Sequence, residues 1–122
     1  MDAKAFGASG EDMAERHLKT LGYRILERNY RTQAGELDII AKDGDVIVFV
    51  EVKSRRGLSF GEPELAVNFH KQRQLTRAAW MYLTRARSYN APCRFDVVGI
   101  YKDGGGTKVK VLKDAFELSE AY

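Results

Sequence analysis

The strongest constraint on this chain is the run Val46-Ile47-Val48-Phe49-Val50, which leads directly into Glu51-Val52-Lys53. Four of the first five residues are β-branched, a composition that favours extended backbone. Side chains on a strand point to alternate faces, so an uninterrupted apolar run presents apolar atoms on both. Such a strand must be central and covered on both sides. At 122 residues the chain suits a single domain spanning 1–122. The expected architecture is an α/β layered fold, with a central mixed sheet of about five strands flanked by helices.

Punctuation residues set the neighbouring elements. Ser9 followed by Asp12 is a capping-box-like start for a first helix. Glu11, Ala14, Leu18 and Leu21 then share one helix face, and Gly22 follows as a C′ residue. Glu11 therefore lies on the apolar stripe. Strands are expected over Tyr23–Tyr30, Glu36–Lys42, Val46–Lys53, Arg94–Tyr101 and Thr107–Leu112. Gly57–Glu64 reads as a polar loop and Gly104-Gly105-Gly106 as a loop tip. A long helix over Ala66–Arg87 would bury Leu75, Ala78, Ala79, Tyr82, Leu83 and Ala86.

Chemistry concentrates at the end of the central hairpin. Glu51 and Lys53 share a strand face with Phe49. Asp43-Gly44 is a hairpin signal joining the second and third strands. A two-residue turn there pairs Lys42 with Asp45, sets Glu36 opposite Glu51 and puts Asp38 on the diagonal. A four-residue loop pairs Lys42 with Ile47 and sets Asp38 opposite Glu51. Both registers put Asp38 and Glu51 on one face, whereas a three-residue loop would separate them. Acids gathered beside apolar strands are costly unless neutralised. Lys53 is one available counter-ion. A divalent cation held by carboxylate oxygens, Mg2+ or Mn2+, is the other, and Glu11 could complete that ligand set. Taken singly, these residues read as a strand-end ion pair and a solvated turn acid. Their joint pattern favours a site.

The formal charge is only +3, from 20 Lys and Arg against 17 Asp and Glu. Its distribution says more than its sum. No acid occurs from Leu65 to Phe95, a stretch that carries Lys71, Arg73, Arg77, Arg85, Arg87 and Arg94. Arg55 and Arg56 follow directly after Lys53. A one-sign surface beside an acidic cluster suits a phosphate-backbone binder. Lys71 and Gln74, near the N-terminal end of the long helix, lie nearest the acids. His17 and His70 share no metal-ligand spacing. Trp80 and Tyr82 read as packing or interface residues rather than base-stacking platforms, Asp96 as structural and Cys93 as a small buried hydrophobe. One cysteine excludes an internal disulfide framework and a Cys-rich zinc site. No apolar run reaches the roughly 18 residues of a membrane span. Met1 to Gly10 has no apolar signal segment, so a cytoplasmic location and no membrane partner are expected.

Asp38, twelve intervening residues and then Glu51-Val52-Lys53 resemble the D…(D/E)-x-K signature of the PD-(D/E)xK nuclease superfamily, the restriction-endonuclease-like fold. A closer resemblance is to the YraN-like family of uncharacterised bacterial proteins. It is carried by Gly10-Glu11, Ala14, Gly22, Asn29-Tyr30-Arg31, Gly35 to Ala41, Val48 to Lys53, Arg55, Lys71 and Arg94 to Val98. Archaeal Holliday-junction resolvases are similar at the superfamily level. Leu37 precedes Asp38, so the Pro of the superfamily's name has no counterpart here. The resemblance implies metal-dependent hydrolysis of phosphodiester bonds by an endonuclease, acting on branched or single-stranded DNA. In that role Asp38, Glu51 and the Val52 carbonyl would hold Mg2+ or Mn2+. Glu11 would bind a second ion or orient a ligand, and Lys53 would position or deprotonate the attacking water. The expected nucleic-acid-binding residues are Arg31, Arg55, Arg56, Lys71, Arg73, Gln74 and Arg77, with DNA favoured over RNA. A homodimer would supply two active sites for cutting both strands of a junction. The alternative is a catalytically weak or inactive nucleic-acid-binding module on the same fold. Either way, binding to nucleic acid should weaken steeply between about 50 and 200 mM salt. Salt-insensitive binding, or none at low salt, would contradict both.

Overall fold

The apolar run occupies the middle of a five-stranded sheet ordered β1-β2-β3-β4-β5. The computed structural model describes residues 3–56, 66–103 and 105–118, with backbone alone at residues 3–8, 55, 56, 102 and 103. The expected loop Gly57–Glu64 and Gly104 of the expected loop tip lie outside the described residues. In chain order the elements are α1 (Ala3–Thr20), β1 (Arg24–Thr32), β2 (Gly35–Asp43), β3 (Val46–Arg56), α2 (Phe69–Arg85), β4 (Cys93–Asp103) and β5 (Gly106–Phe116). Only β3 and β4 pair in parallel, and α2 belongs to the connection between them. The remaining pairs are antiparallel hairpins. No helix among the described residues is long and apolar enough to cross a membrane.

Both faces of β3 are covered, as its composition demands. Ile47 and Phe49 pack with Leu75, Ala78, Ala79 and Leu83 of α2. Val48 and Val50 pack with Ala14 and Leu18 of α1. Gly10 lets α1 approach closely, because a Cβ there would overlap Ser54 Oγ on β3. That approach carries Glu11, the next residue, to the sheet.

The local signals were partly misleading. Ala3, Lys4 and Ala5 are good helix formers and extend α1 ahead of the expected start at Ser9. The far end agrees with expectation. Gly22 (φ 92°) is the left-handed residue of a Schellman motif, with Tyr23 N–H on Leu18 O and Gly22 N–H on Lys19 O. Leu21 is consequently 46% exposed rather than inward, because the helix has ended. α2 is shorter than expected at both ends. The Asn68 side chain caps it by accepting from Lys71 N–H, and Ala86 is exposed. The hairpin turn is Gly44-Asp45, closed by Asp43 against Val46, with Gly44 at φ 61°. Lys42 pairs with Ile47, so the register is the one that sets Asp38 opposite Glu51.

One buried charge ties the sheet together. Asp96 is fully buried and accepts from Arg94 Nε (2.9 Å), Tyr23 OH (2.8 Å) and Asp114 N–H (3.0 Å). Arg94 Nη2 also donates to Asp43 Oδ2 (2.9 Å) and Tyr23 OH (2.6 Å). Burial and the Asp96 carboxylate push the Tyr23 hydroxyl up to about 12. Asp96→Ala, which strands Tyr23, Arg94 and the Asp114 N–H, should cost about 3 kcal/mol in urea unfolding. Thr76→Val should be neutral or stabilising by up to about 1 kcal/mol, since the buried Thr76 hydroxyl has no hydrogen-bond partner.

Candidate metal and nucleic-acid site

The site forms where β2 and β3 stop pairing backbone to backbone. Their ladder runs from Asp43↔Val46 to Ile39↔Val50. Beyond it, Val52 N–H is met by Asp38 Oδ2 at 2.8 Å. The Asp38 carboxyl also shares a hydrogen bond with Glu51. Side-chain alternation along β2 breaks at the same place. Leu37 packs on the α2 side and Ile39 on the α1 side, two residues apart. This break lets one carboxylate serve both layers.

On the α2 side stands Glu51, in the same pleat as Phe49. Lys71 Nζ of α2 lies 3.7 Å from Glu51 Oε2. Lys53 Nζ donates to the Ala66 carbonyl at 2.7 Å, which seats the amine beside the start of α2. On the α1 side, Glu11, Glu36 and Asp38 each present an oxygen, all within 4.8 Å of one another. With its amide turned so that the nitrogen faces the acids, the orientation that satisfies both groups, Asn29 bridges the two glutamates, donating to Glu11 Oε1 (3.0 Å) and Glu36 Oε1 (2.8 Å). Asn29 adopts a left-handed backbone (φ 53°) within β1, a conformation that asparagine tolerates better than most residues. Arg28 balances this side, at 3.6 Å from Glu11 and 2.7 Å from Asp12. Arg31, 86% exposed, lies 3.7 Å from Glu36.

Burial and the adjacent Glu51 push the Asp38 carboxyl up to about 7, against the pull of Val52 N–H and Lys71. Burial, then the charge of Asp38, raises the Glu11 carboxyl, which Arg28 partly offsets. The chain's own cations thus leave the cluster short of positive charge. Its donors are carboxylate oxygens, with no thiol or imidazole among them. Such a set fits a hard divalent cation.

Asp38 is the shared member: Glu11 and Glu36 group with it on one side, and Glu51, approached by Lys71, meets it on the other, with Lys53 on the same strand face as Glu51. Val52 enters through its N–H. Arg73, Gln74 and Arg77 line a separate cavity further along α2. The side chains of Arg55 and Arg56 lie outside the described residues. Sequence reasoning missed Glu36, Arg28 and Asn29 as parts of the cluster. Asparagine in the middle of a strand is unusual enough to have been a signal for the last.

A mixed five-stranded α/β sheet with helices on both faces is consistent with the restriction-endonuclease-like class of fold. Residues 10–100 match the family model described as Uncharacterised protein family UPF0102, and the chain belongs to that family. Its relatives include a UPF0102 protein of Syntrophus aciditrophicus (strain SB), 52% identical over 115 residues, covering 93% of this chain and 89% of the relative. Another, from Geobacter metallireducens, is 45% identical over 116 residues and covers 95% of each chain. Among solved structures, Pyrococcus furiosus SfsA in complex with Ca2+ is similar with a TM-score of 0.41 at 18% identity. The match covers 92% of this chain and 62% of SfsA, so this chain spans about three fifths of that protein.

The raised Asp38 carboxyl makes a signed prediction for the metal-free protein. Between pH ~4 and ~7 an unfolded Asp38 has lost a proton that the folded one keeps, so stability falls as pH rises through this window. In Asp38→Asn the amide oxygen can still accept from Val52 and its NH2 can donate to Glu51. Urea unfolding in EDTA should therefore show a flattened pH dependence, with the variant more stable than wild type above pH 7 by about 2–4 kcal/mol. A variant less stable than wild type at pH 8 would contradict the assignment.

Proposed function

We propose that this protein is a divalent-metal-dependent nuclease that hydrolyses phosphodiester bonds in DNA. The observation that carries the reading is the Asp38 carboxylate, shared between Glu51 on one side and Glu11 with Glu36 on the other. Asp38, Glu51 and the Val52 carbonyl would hold Mg2+ or Mn2+, while Glu11 and Glu36, which group with Asp38 but not with Glu51, would bind a second ion or orient a ligand. A cation held there supplies Lewis-acid polarisation of a phosphoryl oxygen and lowers the pKa of bound water. Lys53 orients the attacking water or takes its proton, and offsets charge on the scissile phosphate. Lys71, 3.7 Å from Glu51, would be able to meet the phosphate if a cation took over the charge of Glu51. Arg31, Arg55, Arg56, Arg73, Gln74 and Arg77 contribute to the nucleic-acid surface. A homodimer with two such sites could cut both strands of a branched substrate, and a cytoplasmic location would give access to DNA.

A second reading, a binding module with little catalysis, is favoured by the ion pairs already made inside the cluster. Arg28 on Glu11 and Lys71 on Glu51 give both acids partners without a metal. A cleavage panel of junction, flap, single-strand and duplex substrates with Mg2+ or Mn2+ separates the two. Under the nuclease reading, Glu51→Gln and Lys53→Ala each reduce cleavage by about 100-fold or more. Calorimetric titration with Mn2+ should show binding that Glu51→Gln weakens. Full Mg2+-dependent cleavage by Glu51→Gln would sink the reading, whereas nucleic-acid binding with no cleavage by wild type would favour the module.

A further inference from the structure

Between α2 and the β1–β2 turn lies a cavity of about 310 Å3, lined by Ala34, His70, Arg73, Gln74 and Arg77. That is the low end of the range of ligand pockets, roughly 300–1,000 Å3. Its polar groups are two guanidiniums, an imidazole and an amide, and no acid lines it. His70, Arg73 and Arg77 stand at i, i+3 and i+7, so they share one side of the helix. Among the described residues, neither guanidinium makes an ion pair.

The cavity is built in advance of any occupant. Arg73 is half-buried, and its guanidinium lies over the Phe69 ring, 5.9 Å from the centroid. Its Nε is shielded from solvent and has no hydrogen-bond partner among the described residues. A shielded donor without a partner is costly, so this wall is short of an acceptor. The opposite wall is clamped by Thr32. Its Oγ1 accepts from Ala34 N–H (3.0 Å) and Gly35 N–H (3.1 Å) and donates to the Gly35 carbonyl (2.8 Å). Gln74 rests on Gly35, where a Cβ would lie 3.1 Å from the Gln74 side chain. The next residue, Glu36, belongs to the carboxylate cluster, so the cavity adjoins the candidate site.

We propose that this cavity binds a phosphomonoester, the terminal phosphate of a nucleic-acid strand, with Arg73 and Arg77 as its charge partners. The proposal rests on the nucleic-acid reading above and names the substrate class as strands with a phosphorylated end. Charge separates the two kinds of phosphate. An internal phosphodiester brings a single negative charge and leaves the second guanidinium unbalanced. A terminal phosphate brings about −1.5 to −2 at pH 7, with three acceptor oxygens. Two guanidiniums balance that charge, and their forked N–H groups suit those oxygens. A carboxylate falls short in both charge and oxygens. The adjoining carboxylate cluster, read above as acting on phosphodiesters, favours a strand end over other phosphomonoesters.

Binding by the full-length protein is measured in EDTA, by anisotropy of an internally labelled thymidine oligonucleotide of about 12 nucleotides. The strand carries a 5′-phosphate, a 3′-phosphate or neither. An unphosphorylated strand one nucleotide longer matches the phosphate count and controls for bulk charge. One phosphorylated end should bind about tenfold or more tighter than this control. Arg73→Gln and Arg77→Gln should each bring the phosphorylated strand and the control within about twofold of one another. Arg85→Gln removes the same charge from the same helix outside this cavity and should keep the preference. Circular dichroism confirms that the variants are folded. Equal affinities in wild type, or a preference that both cavity variants retain, overturn the proposal. So does displacement of the strand end by an equal concentration of inorganic phosphate or of a phosphoserine peptide, which would make another phosphomonoester the occupant. Cleavage in Mg2+ keeps the two readings apart. Cleavage without an end preference rejects the phosphate pocket alone, and an end preference in a protein that cleaves nothing rejects the nuclease alone.

Discussion

A strand that is apolar on both faces can be buried only if each face is covered, and the layout of this protein follows from that requirement. β3 needs α1 against Val48 and Val50, and α2 against Ile47 and Phe49. On the α2 side the apolar run gives way at Glu51, while α1 continues along β3 as far as Ser54. Polar groups at that boundary are half-buried, close enough to both helices to be supplied with charge from either side. The carboxylates sit in the seam between a core that excludes water and the solvated surface. Their shifted protonation is a consequence of that position.

Much of this was legible in the sequence because it depends on local pattern. The central strand, the Gly22 stop, the hairpin and the inward Glu11 are all set by residues within a few positions of one another. The hairpin register was narrowed to even-loop alternatives, both of which joined Asp38 to Glu51. What could not be read is what depends on chain segments meeting across the sheet. Glu36 was seen only as a register neighbour, because its role requires the break in alternation between Leu37 and Ile39. Arg28 was missed because its partners, Glu11 and Asp12, lie on α1, and nothing in the local pattern of β1 indicates them. Asn29 bridges two glutamates from a left-handed position that periodicity takes for ordinary strand. Asp96 was read as structural, and its partners come from the segment after α1 and from β4 and β5.

The cations divide into two kinds by what they touch. Arg94 is committed to a fully buried acid, and its bonds to Asp96 and Asp43 hold strand ends in place. Arg28 and Lys71 are held by partly exposed carboxylates, beside an Asp38 carboxyl that burial and Glu51 push up to about 7. A buried pair of the first kind is costly to break. Pairs of the second kind exchange partners readily, because water screens each contact. The residual demand for positive charge is therefore specific to the Asp38 cluster and is not spread over the protein.

The small net charge of +3 acquires a spatial meaning from this division. α2 separates two environments with the two sides of one helix. Its inward side is Leu75, Ala78, Ala79 and Leu83, which seal the core. Its other residues run from Lys71, at the acids, through Arg73 and Arg77 to Arg85. An anionic strand lying along that row would approach the carboxylates only where Lys71 and a cation lower the local repulsion. On the proposed reading, positive charge at the cluster favours binding, because the acids alone would repel a phosphate drawn to the helix. Binding along α2 and ion binding at Asp38 are therefore expected to reinforce one another, each supplying the charge that the other lacks.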